Sequence, residues 1–308
     1  MSVVRVTLRL GVFSPSVLLG VAATTGALDR AGLAVEEVPA TSSPQQFAAL
    51  VAGDLDAVLT SPDNIFAHPH AGVRIIAAVD RGLGLSLFAR PGIRSGGADP
   101  GAGLRGGVLA VDVPRSGFAF VAYALLARLG LHAGLDYDVR AIGSTPRRAA
   151  ALAAGECTMS VLNAGSDLRA EVAGCARISR ASTLGPYVGS VLAALGSTVE
   201  RRAPALRALT SALLATAAAL VAGRLARPAA EVAAERLGLD ADGVSRYLRT
   251  LVDPREGLVP TGRLDARSLE TLCWLRSSHG AGGPELDALA APGSGLVDER
   301  FLSGPSPA

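Results

Sequence analysis

Aromatic residues make up only 4% of the 308-residue sequence, too few for the stacking platforms on which single-stranded nucleic acids are held. Charge of one sign is missing too: 29 basic residues against 27 acidic leave a formal net charge of +2. The arginine pairs Arg147-Arg148 and Arg201-Arg202 sit among alanine and proline without aromatic neighbours, so they are read as solvated helix ends, and no nucleic-acid partner is expected. The three cysteines, Cys157, Cys175 and Cys273, are far apart and odd in number. They offer neither a disulfide framework nor a C-x-x-C metal or redox pattern, and are expected to be buried thiols. Among the four histidines, His68 and His70 lie in a turn-like F-A-H-P-H-A-G without an evident third ligand. No metal or other cofactor is therefore expected. The H-E-x-x-H, G-x-S-x-G and G-x-x-x-x-G-K-[ST] patterns are absent as well.

Long apolar runs are also lacking. The alanine-rich stretch at 211–222 is short and lies between Arg207 and Arg224, so it is expected to be a buried helix and not a membrane span. At the start, polar Thr7 and Arg9 alternate with Val6, Leu8 and Leu10, a strand pattern unlike a secretory signal. A cytoplasmic location is expected for the sequence as written, and an extracytoplasmic, membrane-associated one if a leader has been removed.

What is present is 49% apolar residues, enough for a large core and two domains. Strands are predicted over 4–12, 33–38, 56–60, 73–79 and 85–89, with helices over 17–28 and from Ser42 or Ser43 to Gly53. After the glycine-rich stretch 96–107, strands are predicted at 108–112, 138–142 and 158–162, and helices over 118–129 and 145–154. A strand at 188–194 carries the chain back. Helices over 200–222, 228–237, 241–252 and 265–277 then read as scaffold. Alternating strands and helices imply α/β architecture with a largely parallel sheet.

The chain also repeats itself. A-A-L-V-A-G-D at 48–54 and A-A-L-A-A-G-E at 150–156 are offset by 102 positions, and each leads into an apolar strand with a polar end. Ser61 in the first copy matches Asn163 in the second, and Leu55 matches Cys157, which argues for burial of that thiol. Two lobes of like topology are expected. Ligands of open α/β sheets sit beyond the carboxyl ends of strands, so Thr60–Asn64 and Asn163 should face one another across a cleft.

The opening strand L-R-L-G-V-F-S-P at 8–15, the turn at 32–35, the run Q-F-A-A-L-V-A-G-D-L-D-A at 46–57, T-S-P-D-N at 60–64, D-V-P-R-S-G at 112–117 and V-D-E-R-F-L at 297–302 together resemble the type-II periplasmic binding proteins. The resemblance is to the group serving sulfonate, nitrate and thiamine-precursor uptake by ABC transporters; it covers most of the chain and is strongest over 8–65. It implies a type-II periplasmic-binding-protein fold: two α/β lobes, an interlobe cleft and a C-terminal helical extension packed on the first lobe. Residues 1–90 with 190–308 would form lobe one, and 91–189 lobe two. The implied partners are a small, anionic or polar organic ligand and the membrane subunits of a transporter, with the chain itself a monomer or homodimer. Enzymes that resemble the same group, such as aryl sulfinate desulfinases, thiamine-pyrimidine synthases and menaquinone-pathway enzymes, supply a catalytic alternative. The reactive cysteine of the desulfinases is replaced here by Ser14 or Ser16, and the cysteine-rich iron motif of the pyrimidine synthases is missing.

Candidate ligand-binding residues are Ser14, Ser16, Ser42, Ser61, Asp63, Asn64, Asp80, Arg81, Arg115, Ser116, Gly117, Asn163 and Tyr187. Each has a plain structural reading beside it. Ser61 and Ser116 can cap helices, Asn64 can form an Asx turn, and Asp80-Arg81 can form an ion pair or leave Arg81 to neutralise an anion. Ser116-Gly117 at a helix start and Arg115 beside it suit an oxyanion. Phe13, Phe118, Phe120 and Tyr187 are the aromatic candidates for the pocket. If chemistry occurs, Asp63, His68 and Ser16 are the candidates for base and nucleophile.

Overall fold

The computed structural model describes residues 5–93, 101–291 and 293–302; part of the glycine-rich 96–107 stretch lies outside them. Strands β1 (Val6–Val12), β2 (Leu33–Pro39), β3 (Ala57–Thr60) and β4 (Val73–Asp80) belong to one five-stranded sheet. Strands β5 (Ser86–Ala89), β6 (Gly107–Val111), β7 (Tyr137–Ala141), β8 (Met159–Leu162) and β9 (Ala176–Arg180) form a second, and β10 (Ser190–Leu195) returns to the first. The orders are β2-β1-β3-β10-β4 and β7-β6-β8-β5-β9. One arrangement is therefore built twice, with β6, β7, β8 and β9 repeating β1, β2, β3 and β4. Each sheet also receives one antiparallel strand, β10 or β5, between its third and fourth repeats.

Helices α1 (Val17–Thr24), α2 (Ala27–Arg30), α3 (Ser43–Ala52) and α4 (Pro62–Phe66) connect the first sheet, and α5 (Gly117–Ala127), α6 (Thr145–Ala153) and α7 (Ser166–Val172) the second. The helix predicted over 17–28 breaks at Gly26, whose φ of 71° lies in the left-handed region that glycine tolerates. Beyond β10 come α8 (Gly196–Arg201), α9 (Ala203–Val221), α10 (Ala226–Leu237), α11 (Ala241–Val252), α12 (Ala266–Ser278) and α13 (Pro284–Ala290).

Two sequence expectations need correcting. The expected first lobe over 1–90 includes residues 85–89, yet β5 pairs with β8 and β9, so the chain crosses over between Asp80 and Ser86. All four β5 residues are buried; such an apolar run signals a strand but says nothing of which sheet receives it. The terminal helices are also more than scaffold for one lobe. Helices α9 and α10 pack on α1, but α11 reaches α7 and α12 lies against both α4 and α5. Helix α9 has the length and composition of a membrane span, and here its Leu206, Leu209, Leu213 and Leu220 are buried in the core. One apolar cluster runs from Phe47 and Ile75 of the first lobe through Leu272 and Leu275 of α12 to Phe120 and Met159 of the second.

Candidate functional site

The loops after β1, β3, β4, β6 and β8 converge on a cleft between the lobes, of about 1030 Å³ including the part open to solvent. Ser61 ends β3 and caps α4, accepting the Asp63 N–H at 3.4 Å. Its counterpart Asn163 ends β8 on the opposite wall and donates through Nδ2 to Gly82 O at 2.8 Å. Asn64 donates to Thr60 Oγ1 at 2.9 Å. Ser16 and Ser116 cap α1 and α5 through the Leu19 and Ala119 amides, so cap and cleft wall are one role here. Of the candidates, Ser14, Ser16, Ser61, Asn64, Asp80, Ser116, Gly117 and Asn163 line this single cleft.

The other candidates lie elsewhere. Ser42 caps α3. Asp63 turns away to Arg276 of α12, with both carboxylate oxygens 3.0–3.1 Å from Nη1. The pair is buried, and Arg276 also lies over the Phe120 ring at 5.7 Å. His68 stacks on Phe47 at 4.6 Å, its Nδ1 2.9 Å from Asn64 O. Arg81 donates to Leu258 O, and Arg115 to Gly280 O; Arg81 forms no ion pair with Asp80 among the described residues. Tyr187 is buried behind Gly82. Phe13 and Phe118 line the cleft, whereas Phe120 stacks against His279.

Arg148, Asp112, Thr145 and Tyr247, none of them a candidate from the sequence, also line the cleft. Arg148, read as part of a solvated helix end, is only 1% exposed. It donates to Ser160 Oγ, Gly143 O, Thr145 Oγ1 and Val161 O over 2.5–3.3 Å. Burial draws its pKa down to about 10, against the pull of nearby Asp112. The polar residues of α6 and β8 that hold the guanidinium are scattered in sequence, so no local pattern marks it. Tyr247 and Leu251 bring α11 into the cleft wall.

Asp80 is a buried carboxylate where the chain leaves β4. It accepts from Gly82 N at 2.8 Å and from the Ser190 hydroxyl, thereby pinning the two crossovers to each other. Burial raises its pKa to about 6 despite these bonds. Beside it, Leu83 (φ 48°) and Ala164 (φ 52°) both adopt left-handed backbone, joined by Ala164 N to Leu83 O at 3.1 Å. Backbone strain held by surrounding structure gathers at ligand clamps, and both residues line the cleft.

The lobes meet at the cleft edges. Asp112 Oδ2 accepts from the Ser43 amide and hydroxyl at 3.2 and 2.6 Å. Gly117 comes so close to the α4 loop that a Cβ there would lie 2.5 Å from Asp63 Cβ. Cys157 is buried with its thiol pKa raised by burial to about 11, consistent with a packing role.

No protein-family model matches the chain, and no curated protein matches its sequence. Solved structures do match in shape. The alkanesulfonate-binding protein SsuA of Xanthomonas axonopodis bound to MOPS superposes with a TM-score of 0.73 at 18% identity, covering 92% of this chain and 97% of that one. The periplasmic nitrate-binding protein NrtA of Synechocystis gives 0.76 at 14%, covering 96% and 87%. A Candida albicans protein described as having the generic periplasmic-binding-protein fold gives 0.71 at 13%, covering 95% and 96%. With its doubled sheet order and two crossovers, the chain has the type-II periplasmic-binding-protein fold.

Proposed function

We propose that the chain is a solute-binding protein: it encloses one small polar organic molecule between its lobes and presents it, outside the cytoplasmic membrane, to the membrane subunits of an ABC-type uptake system. The observation that carries this reading is the single cleft lined from both lobes, with Ser61 and Asn64 on one wall and Ser116, Gly117 and Asn163 on the other. A molecule touching both walls binds the closed arrangement better than an open one and so shifts the population toward closure. The names of the similar structures, an alkanesulfonate binder and a nitrate binder, favour a small polar solute. The catalytic alternative gains no support from its own candidates, because Asp63 and His68 are engaged outside the cleft and only Ser16 lines it.

Native mass spectrometry of freshly purified protein, followed by identification of any released compound, tests the proposal. One retained small molecule per chain is expected, with Asn163→Ala and Ser61→Ala each weakening its binding by about ten-fold, the loss of one hydrogen bond from a desolvated site. Chemical conversion of the bound compound, or protein that carries nothing and shows no melting shift with any solute, would contradict it.

A further inference from the structure

The charge of the solute can be read from the polar atoms that the cleft keeps open. The amide of Asn163 is fixed in orientation, because Gly82 O, the partner of its Nδ2, can only accept. That leaves the Asn163 side-chain oxygen, which accepts no hydrogen bond among the described residues. Asp112 engages Ser43 through Oδ2, while its Oδ1 is buried without a partner. Asp80, 6% exposed, has hydrogen bonds from Gly82 and Ser190 but no cation in ion-pair contact among the described residues. Arg81, its chain neighbour, is turned to Leu258 O.

Against these acceptors stands one cationic side chain in the lining, Arg148. Four of the five N–H groups of a guanidinium are already used by Ser160, Gly143, Thr145 and Val161. Its charge is also offset by Asp112 on the same lobe. The hydroxyls of Ser16, Ser61 and Ser116 can donate to a ligand of either sign, so they do not decide the matter. Asp80 is the carboxylate left without an ion pair; it and Asn163 both bond to Gly82, through its N–H and its carbonyl, and both line the cleft.

We infer that the cleft selects a small organic cation, with an ammonium or amidinium group docking at Asp80 and the Asn163 oxygen, and an apolar body against Phe13, Phe118 and Leu251. This rests on the solute-binding reading above and departs from the anionic ligand expected from the sequence. A cation at Asp80 gives this buried carboxylate the direct ion pair it lacks, since Arg81, turned to Leu258 O, acts on it only weakly and at a distance. An anion entering the same space would meet Asp80, whereas Asp112 and Arg148 largely offset each other, and in a partly desolvated site that like charge repels strongly.

The test is a set of probes with one ring and different heads: benzylamine, benzamidine, benzyl alcohol, phenylacetate and benzenesulfonate, titrated calorimetrically into the full chain at pH 7.5. The amine and the amidine should bind at least about ten-fold tighter than the alcohol and the acids, and Asp80→Asn should abolish that preference. The wild-type series decides the question by itself if the variant does not fold. Tighter binding of either acid, or equal binding of amine and alcohol, overturns the inference and leaves the cleft reading standing. If no probe binds, the charge of the molecule that co-purifies decides: a cation supports the inference and an anion or neutral compound overturns it. Protein that binds no probe and carries no molecule overturns both.

Discussion

At the scale of single residues, Asp63 shows how a polar run at a strand end divides its work. Ser61 and Asn64 face the cleft, while Asp63 is buried against Arg276, 213 positions away. Burial raises the Asp63 pKa to about 6, and Arg276 limits the rise. Arg276→Met removes the partner and leaves the acid buried alone. It should cost about 3–5 kcal/mol in denaturant unfolding, and Asp63→Asn in the same chain should recover part of that. An Arg276→Met protein as stable as the wild type would show that the pair carries nothing. Asp80 gives a pH signature. Its folded-state pKa, raised to about 6 from 3.8, favours folding fully below about pH 4, and this contribution is lost as pH rises through 6. The stability difference between wild type and Asp80→Asn should therefore shift against the wild type between pH 4 and 6, by up to about 3 kcal/mol, and stay level above that window. A difference that is flat across the window would remove Asp80 as an unpaired buried acid.

At the scale of elements, the repeat was legible because it is local. The 102-residue offset maps β3 (Ala57–Thr60) onto β8 (Met159–Leu162), and Ser61 onto Asn163. Cap serines announced α3 and α5 for the same reason, since Ser42 and Ser116 sit beside the amides they bind. What stayed hidden depends on distant partners. Strand β5 joins the second sheet only through β8 and β9, Arg148 is buried by oxygens from two elements and a turn, and α12 meets both lobes after a long excursion of the chain. The close approach at the start of α5 yields a sharp prediction. A methyl at Gly117 would lie 2.5 Å from Asp63 Cβ and 3.1 Å from Ser61 Oγ, so Gly117→Ala must push α5 and α4 apart. Solute affinity should fall by about ten-fold or more while the far-ultraviolet circular dichroism stays unchanged; undiminished affinity would mean that this edge does not close on the ligand.

At the scale of the whole molecule, two lobes are held by two crossovers and also by helices that follow them. Helix α11 ties to the second lobe through Arg246 and Glu171, and the loop after it through Glu256, which accepts from Arg180 and Ser182. Helix α12 carries the continuous apolar cluster across the other side. On the proposed function, opening would spare these contacts and break the lighter ones at the mouth, where Ser43 meets Asp112. Ser43→Ala should shift the population toward the open arrangement, raising the solute-free radius of gyration in X-ray scattering and weakening binding by roughly five- to ten-fold; unchanged scattering and affinity would mean that this contact does not hold the mouth shut. The central claim, that both lobes hold one molecule between them, is tested most directly by a crystal structure of the protein carrying the compound that native mass spectrometry identifies. The account predicts density for one molecule within hydrogen-bonding distance of Ser61 or Asn64 on one wall and Asn163 on the other; a compound bound outside the cleft, or touching one wall only, would contradict it.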